Sequence, residues 1–591
     1  QIKLLHLLTN KSKIIMRVAY FEKLDFFHTI IAIFLRIFLI KVVYREIDKK
    51  VNNKKILKIL FFFKIKNINF FLTNDNFFKG HQNLDIFENK LIKLLNDNRL
   101  VRNFINSEFK NKDKDIVNRA ICNSFGNLKI WPSTFYYFQK KLNKNKIIYF
   151  PQNIESAVIL QIFKLNNVFV FPLKIYISIL ISFFRKKNTS QKKVKKDIKT
   201  NILYFPHQGI LYGKKIFKKN FLYKDLKIRD KILTIYYDEI IKFDSKYYSL
   251  YKLKYEILYK NNIYNSFFKI FFESFYKTSK NNFLFFDLKI LNFIKEYHFK
   301  KRFLGNYPNL KMSYIFFEEI FEDYPLILAF KNKNIKILSH SERLALSTFV
   351  YSPRIIDHYF IPSKGAKEML IKRKYLIKKY HIVGFMRTAL AMKKNNINFK
   401  KLPTNNKKII LCLTVGYTTK IGASVYGDRD GTKTSFDYFI KLIFKLSIIH
   451  KNFLFVIKPK FSWEKPYIEK LIKTKNQLNN ILIFDEGSPY KLASEADLVI
   501  SKYTSLIDEI LPLGKPVLHV DETKVFTDQP LFIKHININA NTFNEVINKI
   551  NFFKKNKNYY DIKNSKNITY YFGNSKKNVS NEICKFIKNS L

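Results

Sequence analysis

A chain of 591 residues holds more than one domain, three or four at the usual ~150 residues each or two large ones with embellishments. Hydrophobic residues at 47% and aromatics at 17% exclude a largely disordered chain and support a sizeable buried core. The formal net charge of +61 admits an anionic membrane surface or a phosphorylated substrate; nucleic acid is not the expected partner, because the cations are spread along the chain with no zinc-finger, RRM or KH pattern, and Lys, Asn, Ile, Phe and Tyr are enriched together as A/T-rich codons produce.

Residues 1–184 read as a mainly helical, aromatic-rich N-terminal region, possible membrane contact included. Two apolar stretches lie in it, FFHTIIAIFLRIFLIKVV (Phe26 to Val43) and VFVFPLKIYISILISFF (Val168 to Phe184). Arg36 interrupts the first, and Pro172 with Lys174 the second, so each predicts a buried or interfacial helix rather than a span. No cleavable signal peptide is evident; with Gln in first place, the sequence is either a fragment or begins naturally at Met16. Cys122, Cys412 and Cys584 lie far apart in no CxxC or His-rich spacing, which argues against a disulfide framework and a structural zinc site and points to a reducing compartment.

Residues 185–200, RKKNTSQKKVKKDIKT, are a basic linker, either solvated or resting on anionic headgroups. From 201 to 400, NILYFPHQG, KILTIYYDE, NFLFFDL, NIKILSHSER, DHYFIPSK and YHIVG are strand-like, with helical or polar material between them. From 401 to 525 the alternation is cleaner: strands KKIILCLTV, NFLFVIKPK, ILIFDEG, DLVISK and KPVLHVD are separated by helices FDYFIKLIFKLSII, YIEKLIKTK, PYKLASEA and SLIDEILPL. Short apolar strands alternating with amphipathic helices mean right-handed βαβ units and a parallel sheet. The fold class expected is therefore α/β: two Rossmann-like domains facing each other across a ligand cleft, preceded by the helical N-terminal region and followed by a helical tail at 526–591 that packs back on the first of the two domains.

In such a sheet the residues leaving the strands share one crevice, here Gly416 to Thr419, Lys458 to Lys460, Asp485 with Glu486, Ser501 to Ser505, and Asp521. Many are phosphate-type ligands. Thr504 and Ser505 stand where a helix begins, a position that serves either as an ordinary N-cap or as an anion site. Lys458 and Lys460 add cations, while Asp508 and Glu509, one turn on, either accept hydrogen bonds from a ribose or compensate the helix dipole.

The order EADLVISKYTSLIDEILPLGKPVLHVDE (Glu495 to Glu522) resembles the nucleotide-binding end of GT-B glycosyltransferase-like polysaccharide biosynthesis enzymes, nearest to the CDP-glycerol glycerophosphotransferase family of wall and capsule polymer synthesis. KILSHSER is similar to the strand that ends in that family's catalytic WHG, and HIVGFMR to its G.PR joint. FLFVIKPK stands where that family and the bacterial sialyl- and Kdo-transferases carry His-Pro. Lys502 replaces the family's Asp and Thr504 its first Ser; the resemblance covers about residues 330 to 525.

The resemblance implies a GT-B transferase that moves a sugar or polyol phosphate from a nucleotide-activated donor to a growing surface glycan, free or lipid-linked. It implies a cytoplasmic protein, peripheral at the inner face of the cell membrane. His340 becomes the candidate general base, with a structural role as the other reading, and His207 in PHQG is the rival base. Lys458, Thr504 and Ser505 would steady the departing nucleotide phosphate, with Gly416 and Lys460 at the same edge. No DxD-type triplet ends a strand convincingly, so neither a metal nor a cofactor beyond the donor is expected. A sugar-nucleotide epimerase of the same shape and a non-catalytic membrane-associated assembly protein are the alternatives.

Overall fold

The computed structural model describes residues 17–48, 53–67, 88–110, 113–125, 146–151, 158, 168–170, 196–206, 226, 228–236, 254–257, 284–316, 321, 323–341, 354–372, 375–385, 407–414, 433–473, 479–487, 489–502, 504, 506–520, 538–555, 562–573 and 579–591. These residues build three parallel sheets in succession.

The first sheet corrects the expectation of a mainly helical N-terminal region. Strands β1 (Arg17–Leu24), β2 (Lys41–Ile47), β3 (Lys66–Asn67), β4 (Lys146–Phe150) and β5 (Val168–Val170) pair in parallel in the order β3-β2-β1-β4-β5. Helices α1 (Phe26–Ile37) and α2 (Lys54–Phe62) connect the first three. Strand pairing is fixed by aromatic ladders: Tyr20 stacks on Tyr149 at 5.5 Å and Phe21 on Phe150 at 4.2 Å, each across a register pair. Aromatic and β-branched residues dense on both sides of α1 hide the period-2 pattern, which is why the strands were not legible. Of the second apolar stretch, Val168–Val170 form β5, while Pro172 and Lys174 lie outside the described residues. No described helix is long and apolar enough to cross a membrane.

The second sheet has seven parallel strands: β6 (Ile202–Phe205), β7 (Ile232–Tyr236), β8 (Lys254–Ile257), β9 (Met312–Ile315), β10 (Lys336–His340), β11 (Ile355–Ile361) and β12 (Leu376–Ile382), in the order β12-β11-β10-β9-β6-β7-β8. The strand expected at NFLFFDL is instead the start of a helix, since the apolar run continues as LKILNFIKEYHFKKRFL over helical spacing. That helix, α5 (Leu284–Leu304), and α6 (Tyr324–Asn332) meet α3 (Arg99–Glu108) and α4 (Lys114–Ser124) of the N-terminal domain. Phe104 packs edge-on to Tyr297 at 4.9 Å, and the Tyr297 hydroxyl donates to Glu108 at 2.7 Å. One continuous hydrophobic core therefore spans the first two sheets.

The third sheet follows the alternation read from the sequence. Strands β13 (Lys408–Leu413), β14 (Phe453–Lys458), β15 (Ile481–Ile483), β16 (Leu498–Ser501), β17 (Val517–Val520) and β18 (Asn539–Ala540) lie in the order β15-β14-β13-β16-β17-β18. Helices α7 (Lys364–Lys372), α8 (Lys433–Ile449), α9 (Glu464–Lys473), α10 (Pro489–Glu495), α11 (Leu506–Ile510) and α12 (Phe543–Lys555) surround it or join it to the second sheet. Among its described residues, the stretch expected as a helical tail also holds β18, a two-residue edge strand too short to show periodicity.

The last two helices return to the second domain. In α13 (Ile562–Phe572), Ile568 and Phe572 join a core with Ala366 and Met369 of α7 and with Leu411 and Leu413 of β13. In α14 (Val579–Ser590), Val579, Ile583, Cys584 and Ile587 pack against Ile202, Tyr204, Met312 and Tyr314. The two Rossmann-like domains are tied together by this crossing, as the sequence reading expected of the tail.

Candidate active site

At the C-terminal edge of the third sheet, Lys458 and Ser501 both pair with Leu413, so their side chains share one face across β14, β13 and β16. Ser501 is fully buried, and its hydroxyl has no hydrogen-bond partner among the described residues. Lys458 is half-buried and donates from Nζ to the main-chain carbonyl of Asp485 at 2.6 Å. Burial lowers the Lys458 pKa below its ordinary 10.5, while Asp485 and Glu464 pull it back up. Asp485 in turn pairs with Lys465 at 3.2 Å on the surface; hydrogen bonding to Lys465 holds its carboxyl below the ordinary value.

One residue beyond, on the opposite face, Thr414 and Glu464 organise the turn after β14. The Thr414 hydroxyl donates to Glu464 Oε2 at 2.9 Å, and the Lys460 main-chain N–H reaches Thr414 Oγ1 at 2.9 Å and Glu464 Oε2 at 3.0 Å. Glu464 is fully buried at the first position of α9, where an acidic side chain suits the helix dipole. The network pins residues 459–463 and sends Lys460 outward while Lys458 stays against the sheet. Glu464 and Thr414 were missed in the sequence, although a Thr just past an apolar strand and a Glu four residues after Lys460 were the available signals.

Lys502, the position where the resembling family carries Asp, is buried, and its ammonium lies 5.2 Å from the ring centroid of Tyr438 on α8. Thr504 is half-buried. Its hydroxyl accepts from the Leu506 N–H at 3.3 Å, and its carbonyl from Ile507 N–H at 3.2 Å, the geometry of a cap on the five-residue α11. A 3-10 turn, Leu511–Leu513, extends that helix to Gly514, whose φ of +73° closes it in the left-handed region. Asp508 and Glu509 belong to α11, but their side chains, like Ser505, Gly416 and His207, lie outside the described residues.

In the other domain His340 ends β10. Its Nδ1 is 2.7 Å from the Tyr314 hydroxyl, its ring stacks on Tyr314 at 5.9 Å, and Phe316 meets it edge-on at 4.8 Å. His340 is 1% exposed, so a substrate reaches it only when neighbouring side chains move aside. With Nδ1–H donating to Tyr314, Nε2 is the basic nitrogen; the reverse tautomer places the proton on Nε2. No group of three His, Cys, Asp or Glu that could hold a metal ion comes together among the described residues.

No protein-family model and no curated protein matches the sequence. Solved structures do. A UDP-GlcNAc 2-epimerase from Neisseria meningitidis bound to UDP-GlcNAc is similar at 13% identity, covering 66% of this chain and 99% of its own, with a TM-score of 0.39. MurG from Acinetobacter baumannii is similar at 11% identity over 66% of this chain and 99% of its own, TM-score 0.39. The wall teichoic acid polymerase TagF is similar at 11% identity over 68% of this chain and 90% of its own, TM-score 0.37. Likeness at this level carries nothing about reaction or ligand; the assignment of two Rossmann-like domains stands on the strand orders given above.

Proposed function

We propose that the protein is a GT-B-type transferase that moves a sugar or a polyol phosphate from a nucleotide-activated donor to a growing surface polysaccharide. The observation that carries this reading is the placement of Lys458 and Ser501 on one face at the C-terminal edge of the third sheet, on the two strands that flank β13, where open parallel sheets take their ligands. A half-buried ammonium and a buried hydroxyl suit a diphosphate that gains charge as the donor bond breaks. In this reading Lys458 meets the leaving phosphate, Lys460 contributes at the rim, and Thr504 with Ser505 and Gly416 complete the nucleotide side. His340 removes the proton of the acceptor hydroxyl as that oxygen attacks the donor, with Tyr314 fixing its ring; His207 is the rival base. The donor is a substrate, and no further cofactor or metal is invoked.

The test is binding of CMP-, CDP-, UDP- and GDP-linked donors, followed by transfer to a glycan acceptor. Binding of one donor class is expected, weakened in Lys458→Met, with turnover but not binding lost in His340→Ala. Absence of binding to every class would overturn the proposal, and loss of turnover in His207→Ala with His340→Ala active would transfer the role of base to His207.

A further inference from the structure

We propose that the N-terminal domain carries a docking surface for an anionic lipid bilayer, formed by the C-terminal ends of α1 and α2. The inference is independent of the reaction proposed above. Because β1, β2 and β3 step in one direction along the sheet, right-handed crossovers place both helices on the same face. The Arg36 Nε donates to the Phe63 carbonyl at 2.9 Å and ties the two helix ends together. Ala32, Leu35 and Leu60 turn inward onto the sheet with Ala19, Phe21 and Val42.

The outward face is apolar as well. Phe34, Ile37, Phe38, Leu39, Phe61 and Phe62 are all exposed, with Leu39 at 87%, Phe61 at 85% and Phe62 at 78%. Both helices end in the same way, with Leu39 at φ +60° and Lys64 at φ +52°, and with Ile40 and Ile65 N–H groups bonded back to Leu35 and Leu60. Glycine or asparagine ordinarily takes that left-handed position. A leucine there, strained and turned into water, contributes nothing to folding that a glycine would not, and points to a use outside the domain.

Charge decides the occupant. Residues 26–45 and 53–67 contain no Asp or Glu, and exposed Lys41, Lys55, Lys58, Lys64 and Lys66 fringe the apolar ridge. An apolar ridge whose two described segments carry exposed lysines and no carboxylate matches an acyl boundary beneath anionic headgroups. In a two-fold pairing of two copies the same lysine rim would face itself, a like-charge arrangement that opposes association. Neither helix is long enough to span, so contact is confined to the interface.

Flotation of the full chain with phosphatidylcholine vesicles, and with vesicles that also contain phosphatidylglycerol, tests this. Partition onto the anionic vesicles is expected, weakening with salt. The variant Phe38→Ser, Leu39→Ser, Phe61→Ser, Phe62→Ser is expected to lower that partition about tenfold or more while keeping its melting temperature, since all four side chains face water. Lys58→Glu, Lys64→Glu, Lys66→Glu should weaken binding to the anionic vesicles only. A Phe61→Trp reporter should be quenched by brominated lipid. Failure of the wild-type chain to float with anionic vesicles, or equal flotation by the four-serine variant, would overturn the proposal. So would a wild-type dimer that the four-serine variant makes monomeric with vesicle binding unchanged, which would make the ridge a contact between copies.

Discussion

The hydroxyl of Thr414 donates 2.9 Å to a carboxylate oxygen of Glu464, joining the end of β13 to the start of α9 across 50 residues of chain. Glu464→Ala would remove the close acceptor of that hydroxyl and one of the two acceptors of the Lys460 N–H in a buried setting, at a cost of about 1–3 kcal/mol. Glu464→Gln keeps an acceptor and isolates the charge. Burial raises the Glu464 carboxyl above its ordinary 4.5, against the Thr414 hydroxyl and the N–H groups of Lys460 and Phe461 that lower it. The folded state thus holds the proton more tightly than the unfolded chain. This group's contribution is complete below pH 4.5 and is lost as pH rises through the folded-state value. Melting temperatures of wild type minus Glu464→Gln should therefore decline as pH is raised from acid toward neutral.

Lys458 has the opposite sign. Its pKa is held below 10.5 by burial, so its contribution to stability is present above that value and lost as pH falls through the folded-state pKa. At neutral pH the buried charge does not favour folding. Lys458→Met should melt no lower than wild type, yet weaken donor binding by about tenfold or more, since a charge-assisted hydrogen bond contributes ~1.5–3 kcal/mol. Calorimetric titration alongside thermal melts separates the two effects.

Gly573 ends α13 at φ +83°, and a Cβ added there would lie 2.1 Å from the carbonyl oxygen of Pro362. That clash is with backbone just past β11, so no side chain can rotate to relieve it. Gly573→Ala should destabilise the return of α13 and α14 to the second domain, on the order of 2–3 kcal/mol. Limited proteolysis should release the C-terminal helices earlier than in wild type.

Lys300 of α5 and Asp323, the N-cap of α6, form a buried ion pair at 2.9 Å. Lys300→Met leaves the carboxylate buried and uncompensated, a loss of about 3–5 kcal/mol in urea denaturation. Asp323 also caps α6 by accepting from the Leu326 N–H at 3.1 Å. Asp323→Asn keeps that cap, so the double variant Lys300→Met, Asp323→Asn should recover most of the loss.

The sequence by itself determined the third sheet from β13 to β17 and most of the second, because there short apolar strands and amphipathic helices alternate between polar loops, and each period is readable over its own length. It also marked Lys458, Thr504 and His340 as strand-end or turn residues. Tertiary structure alone decided the rest. The N-terminal sheet is specified by stacking of Tyr20 on Tyr149 and Phe21 on Phe150, contacts between residues about 129 apart that no local pattern announces. Glu464 acquires its place from Thr414, Lys502 from Tyr438, and the apolar ridge from two helix ends brought together by Arg36 and the Phe63 carbonyl. A residue's partners across a fold are set by which strands lie side by side, and strand order is a property of packing, not of neighbouring letters.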